Sequence, residues 1–218
     1  MADKKKMVII DPGHGGIDPG CETKDKNGKW VYERDIVWAV AKKIKDKLDA
    51  AEAQSLVKAV ISLEEMYPGY DYTKVSKRPS LRNRVYVPWQ KYHEEFDIKL
   101  SLSLHCDAAE SAAAQDATIF YSEDSDLQLA ERFLNDYAEK VIVDGVQVFF
   151  GHRKPPVVER ENLSVLNAAE FKGIDGVLLE LGFLTSSDDF QFLIRADVQD
   201  LIAEVLNNTI IELYGEKV

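Results

Sequence analysis

No stretch of this sequence approaches the ~20 consecutive apolar residues that a bilayer-spanning helix needs. The run Met7-Val8-Ile9-Ile10 stops at Asp11 and is too brief for the apolar region of a secretory leader. The expectation is therefore a cytoplasmic product, held there until something releases it to its target. Cysteine is scarce: Cys21 and Cys106 alone cannot build a disulfide framework and lack metal-finger spacing. In a cytoplasmic product they are expected as free thiols. Seven prolines and twelve glycines exclude collagen-like and Pro-rich disordered classes. Positive charge is in deficit, with 27 Lys and Arg against 38 Asp and Glu and a net charge of −11. That balance argues against broad electrostatic binding to nucleic acid or to an anionic membrane.

What remains is a chain of 218 residues with 45% hydrophobic and 30% charged content. This is the balance of one globular domain, 1–218, with a substantial core. Met7 to Ile10 reads as a strand buried on both faces, because it lacks polar alternation. From Arg34 to Ala53, Ile36, Val37, Val40, Ala41, Ile44 and Leu48 recur at helical spacing between charged residues, an amphipathic helix. Strands are expected at Leu56–Leu63, Ile98–Leu104, Ala117–Tyr121, Val146–Phe150 and Gly176–Leu181. Helices are expected at Leu81–Phe96, kinked or split by Pro88, at Leu127–Val143 before Asp144-Gly145, and at Val198–Tyr214. Alternating strands and helices indicate an α/β fold, a mostly parallel sheet flanked by helices on both faces.

In such sheets functional groups gather beyond the carboxyl ends of the strands. His14 follows the first strand, His105 ends the strand from Ile98, and Glu180 ends the strand from Gly176. Glu33 stands just before the long helix. The other two histidines, His93 and His152, sit in less suggestive contexts. Two His and a carboxylate are a common catalytic zinc ligand set, and a second carboxylate can move the proton of a metal-activated water. Taken singly, each His reads more readily as an ordinary polar loop residue than as a ligand. Glu33 alone reads as a helix-dipole partner, worth ~0.3–1 kcal/mol. Glu180 lies within Val177-Leu178-Leu179-Glu180-Leu181, where burial is costly unless the carboxyl is paired or functional. Spacing alone leaves both readings open.

The words of the sequence narrow the choice. Val8-Ile9-Ile10-Asp11-Pro12-Gly13-His14-Gly15-Gly16 resembles the opening motif of the zinc-dependent N-acetylmuramoyl-L-alanine amidases of the type 3 family. Glu33-Arg34-Asp35 and Ser101-Leu102-Ser103-Leu104-His105 are similar to its second and third ligand segments. Val177 to Leu184 resembles the block holding its catalytic glutamate. Ser80-Leu81-Arg82-Asn83-Arg84 is similar to the family's Ser-Leu-x-x-Arg segment. The resemblance implies a twisted, mostly parallel sheet with one zinc held by His14, Glu33 and His105. It implies Glu180 as general base and then acid, and hydrolysis of the amide joining N-acetylmuramic acid to L-alanine of the peptidoglycan stem peptide. Cys106-Asp107 departs from the Ala-Asn common in the family and adds a carboxylate beside the metal.

Regulated members carry a long inhibitory insertion after the third ligand segment, whereas Asp107 to Asp116 is short and Ala-rich. An enzyme needing no activator protein is expected. With no leader and no wall-binding repeat, a phage or prophage lysin is the favoured role and a mother-cell autolysin the alternative. Two rivals differ in kind. One is a zinc amidohydrolase or carboxypeptidase acting on small soluble amides. The other is a catalytically inactive wall-binding or tail-structural module, against which Glu180 and the three ligands argue.

Overall fold

Met7, Val8, Ile9 and Ile10 are all fully buried, as a strand covered on both faces must be. They form the middle of β1 (Lys6–Pro12). The computed structural model describes residues 4–69, 71, 74–111, 113–122, 126–149 and 157–215. After β1, a small antiparallel pair, β2 (Glu22–Lys24) and β3 (Trp30–Tyr32), leads into the long helix α1 (Glu33–Ser55). Next come β4 (Val57–Ile61), α2 (Ser62–Met66), α3 (Asn83–Tyr92), β5 (Asp97–Asp107), β6 (Thr118–Tyr121) and α4 (Leu127–Lys140). A two-stranded ribbon follows, β7 (Ile142–Val143) with β8 (Val146–Gln147). The chain continues through β9 (Val157–Arg160), α5 (Ser164–Glu170), β10 (Asp175–Phe183), α6 (Ser187–Leu193) and α7 (Ala196–Tyr214).

The main sheet has the order β4-β1-β5-β10-β6-β9. Every neighbouring pair is parallel except β10 with β6. Side chains alternate between its faces. Val8, Ile10, Leu102, Leu104, Val177 and Leu179 join the larger core with residues of α1, α4 and α7. Met7, Ile9 and Leu178 point the other way, into a second cluster with Val85 of α3 and Val165, Leu166, Ala168 and Ala169 of α5. The sheet is thus flanked by helices on both faces, as expected of an α/β fold.

Several elements differ from the sequence expectation. The strand expected to reach Leu63 ends at Ile61, where Ser62 and Leu63 open α2. Pro88 lies inside α3, which continues as one element to Tyr92. A proline there removes one backbone donor, and buried Pro88 and Val85 still hold the helix against the sheet. The helix expected to run to Val143 stops at Lys140. Asp144 and Gly145, both at positive φ (53° and 80°), turn the β7–β8 ribbon instead, the geometry that two-residue hairpins favour. Short β9, α5 and α6 have too few residues for a clear period.

Candidate metal centre

The strand ends build the centre. The Gly13 N–H donates to Leu104 O (2.8 Å), drawing the loop after β1 against β5. His14 follows with φ 61°, a left-handed conformation that costs a non-glycine residue roughly 1–2 kcal/mol. Gly15 and Asp18 close the loop by exchanging backbone hydrogen bonds of 2.9 and 3.1 Å. Close approach demands glycine on both sides of the centre. A β-carbon at Gly13 would lie 2.4 Å from the His105 ring, and one at Gly20 would lie 2.4 Å from Glu33 Oε2.

Glu33, the first residue of α1, is the meeting point. His14 Nε2 lies 3.0 Å and His105 Nδ1 3.1 Å from the same Glu33 oxygen, Oε1. The Cys106 N–H donates to that oxygen (2.9 Å), and the Cys21 N–H donates to Oε2 (2.8 Å). The two imidazole rings stand edge to face, 4.9 Å apart. One donor atom each from His14, Glu33 and His105 can be chosen so that all lie within 4.8 Å of one another. Donors around a tetrahedral zinc with bonds of ~2.0–2.1 Å stand roughly 3.3 Å apart, so both the donor chemistry and the spacing fit that ion. Asp18 Oδ2 lies 3.4 Å from His14 Nδ1, the outer partner that leaves Nε2 facing the centre.

Glu180 of β10 is register-paired with His105 of β5, so the two side chains leave the sheet on the same face. Its Oε2 is buried and makes no hydrogen bond. Burial, reinforced by the charges of Glu33 and Asp107, pushes its pKa up to about 9. Glu33 behaves oppositely. Burial alone would raise its pKa, but hydrogen bonds and charge from His105 and His14 hold it well below the usual carboxylate range. For His14, burial lowers the pKa, yet contact with Glu33 and Asp18 leaves it above 6.5. The two carboxyls are thus driven apart by their surroundings, which gives them different tasks: Glu33 is held ionised and Glu180 is poised to carry a proton. Burial pushes the Cys106 thiol far up, and Cys21 shifts the same way. Both cysteines are free.

All four residues singled out in the sequence therefore converge, although His105 and Glu180 lie within their strands rather than beyond them. His93 does not join them: its ring stacks on Trp89 at 4.0 Å. His152 lies outside the described residues. Asp107 accepts a hydrogen bond from the Ala108 N–H (2.7 Å) and acts on Glu180 through its charge. Sequence reasoning missed Asp18, whose signal was a carboxylate four residues after His14 in a glycine-rich loop. It also gave no task to Arg84, which is buried beneath that loop.

Comparison with known proteins identifies the family. The type 3 amidase family model, N-acetylmuramoyl-L-alanine amidase, matches residues 8–212. The germination-specific N-acetylmuramoyl-L-alanine amidase of Bacillus subtilis is 26% identical over 222 residues, covering 97% of this chain and 81% of that protein. A protein described as the probable cell wall amidase LytH of Staphylococcus saprophyticus is 25% identical, over 96% of this chain. The chain spans only 55% of that relative's length. Among solved structures, an N-acetylmuramoyl-L-alanine amidase from Clostridium difficile 630 superposes with a TM-score of 0.71 at 24% identity, covering 96% of this chain and 97% of that one. AmiC2 of Nostoc punctiforme gives 0.72 at 20% identity, covering 97% and 98%; at these identities the likeness speaks for the fold. Because the family match runs from β1 through α7 and takes in all four convergent residues, the chain belongs to the N-acetylmuramoyl-L-alanine amidase family.

Proposed function

We propose that the chain is a zinc-dependent peptidoglycan hydrolase that cleaves the amide between N-acetylmuramic acid and L-alanine of the stem peptide. The observation that carries this reading is Glu33 Oε1 flanked by His14 Nε2 and His105 Nδ1, with buried Glu180 on the adjoining strand. His14, Glu33 and His105 are the residues that hold the ion. Zinc in that position supplies a Lewis acid that polarises a carbonyl and brings the pKa of water towards ~7. Glu33 stays ionised, so it serves as a ligand and not as a proton carrier. Glu180 has the opposite character: its unpartnered Oε2 takes a proton from the attacking water and returns it to the departing alanine nitrogen. A zinc ion held by His14, Glu33 and His105 would add positive charge beside Glu180, opposing the upward shift that burial, Glu33 and Asp107 impose. That charge favours the ionised carboxylate that accepts the proton.

The link after β5 is short, 108–117, and activity without an activator protein is part of this proposal. The curated relatives are bacterial cell-wall and germination amidases, and they favour an autolysin-type role. The lysin role expected from the sequence uses the same chemistry with a different route of delivery.

The test is digestion of purified peptidoglycan by the isolated chain, with and without a zinc chelator. New amino-terminal alanine, without new reducing sugar and abolished by the chelator, is expected. Release of reducing ends would move the cleavage to a glycosidic bond, and no release at all would favour a small soluble amide as substrate.

A further inference from the structure

We infer that Arg84 is a positioning residue for the metal centre, holding the backbone of His14 in its left-handed conformation from beneath the loop. The inference rests on the zinc reading above. Arg84 enters from α3 and is 1% exposed. Desolvating a guanidinium is expensive, and apolar residues commonly replace a buried ion pair at no loss of stability. A purely structural role is thus a weak reason for it to be there.

Its contacts show another. Nη1 donates to Asp11 Oδ1 (2.8 Å) and to Pro12 O (2.6 Å), while Nη2 donates to His14 O. All three acceptors lie in the four residues 11–14 that carry β1 into the first ligand. His14 is the residue with φ 61°, and its carbonyl is fixed by the guanidinium while its Nε2 meets Glu33. Asp11 is anchored in turn: Ser62 Oγ donates to Oδ1, and Ser103 Oγ donates to Oδ2 at 2.8 Å. Ser103 precedes His105 by two residues on the same strand, so its side chain shares the His105 face. One buried cluster of Arg84, Asp11, Ser62 and Ser103 therefore ties the backbone of the first histidine to the strand of the second. A planar fork reaches the acceptors together, whereas an ammonium is a point donor and cannot.

Arg84→Lys keeps the charge and every ligand but removes the fork. Zinc affinity is measured by competition with a chromophoric chelator, and ligand geometry by the visible spectrum of the cobalt(II) form. Wild type should bind one zinc. Arg84→Lys should bind about 10–100-fold more weakly, the usual effect of losing a residue that orients a ligand, with an altered cobalt spectrum. Val85→Ala, next on α3 and buried in the same region, serves as the control. It should lower the unfolding midpoint and leave affinity and spectrum unchanged. Wild-type affinity and spectrum in a folded Arg84→Lys protein would overturn the inference. Should that variant not fold, Asp11→Asn decides in its place: several-fold weaker binding supports the inference, and unchanged binding overturns it. A wild type that binds neither metal would instead overturn the zinc reading, and this inference with it.

Discussion

Glu33 and Glu180 carry the same carboxyl group, and their surroundings give them opposite chemistry. Two imidazoles and two backbone N–H groups stabilise the charge on Glu33. Glu180 has no hydrogen bond to Oε2 and two negative neighbours. Replacing Glu180 by Gln keeps its volume and removes its capacity to accept and return a proton. Turnover should fall by about 10²–10⁴-fold while bound zinc, measured by atomic absorption, stays stoichiometric. His14→Ala should lose both. Near-wild-type turnover in Glu180→Gln would remove Glu180 from the mechanism. These four residues were legible in the sequence because each sits in a short motif beside a strand. Asp18 and Arg84 were not. Their roles depend on the path of the loop after β1 and on α3 passing beneath it, and no local spacing encodes either.

Between elements, Asp136 of α4 is the clearest fastener. It is nearly buried, and Thr209 of α7 donates to its Oδ2 at 2.8 Å. Arg132 and Lys140, one turn away on either side, lie 2.7 and 2.9 Å from the carboxylate. Burial pushes its pKa up, but Lys140, Arg132 and Thr209 together outweigh that and leave it below the usual 3.8. A depressed carboxylate contributes stability above its unfolded pKa and loses it as pH falls through the folded value. Asp136→Asn should therefore cost about 1 kcal/mol at pH 7, the partly exposed Arg and Lys adding little. Its deficit relative to wild type should shrink as pH drops below 3.8. Urea unfolding of both proteins at pH 7 and pH 3 checks this, and a deficit equal at both values would contradict it. Elements were read from the sequence where a period ran long, as in α1 and α7. Asp144-Gly145 reads as a stop signal, and the strand expected from Val146 begins there as β8, which ends at Gln147; Phe150 lies outside the described residues. The strand β7 is hidden in the sequence because its two residues continue the apolar run of the helix before it. The start of α2 was hidden because Ser62-Leu63 continues the apolar run of β4.

At the scale of the molecule, the centre joins parts of the chain that are distant in sequence. His14 follows β1, Glu33 opens α1 and His105 lies in β5, so one ion fastens the loop, a helix and the sheet. Such a ligand binds the native state and stabilises it by mass action, by about 2.7 kcal/mol when free zinc is 100 times its dissociation constant. For a chain of this length that corresponds to a rise of roughly 5–11 °C in Tm. Calorimetry with zinc and with chelator should show that interval in wild type and lose it in His14→Ala. Glu180→Gln should retain it, since Glu180 serves the proton and not the ion. An interval that survives in His14→Ala would place zinc elsewhere on the acidic surface, where the net charge of −11 supplies many carboxylates. The same interval lost in Glu180→Gln would make that residue a ligand and leave the proton transfer without its carrier.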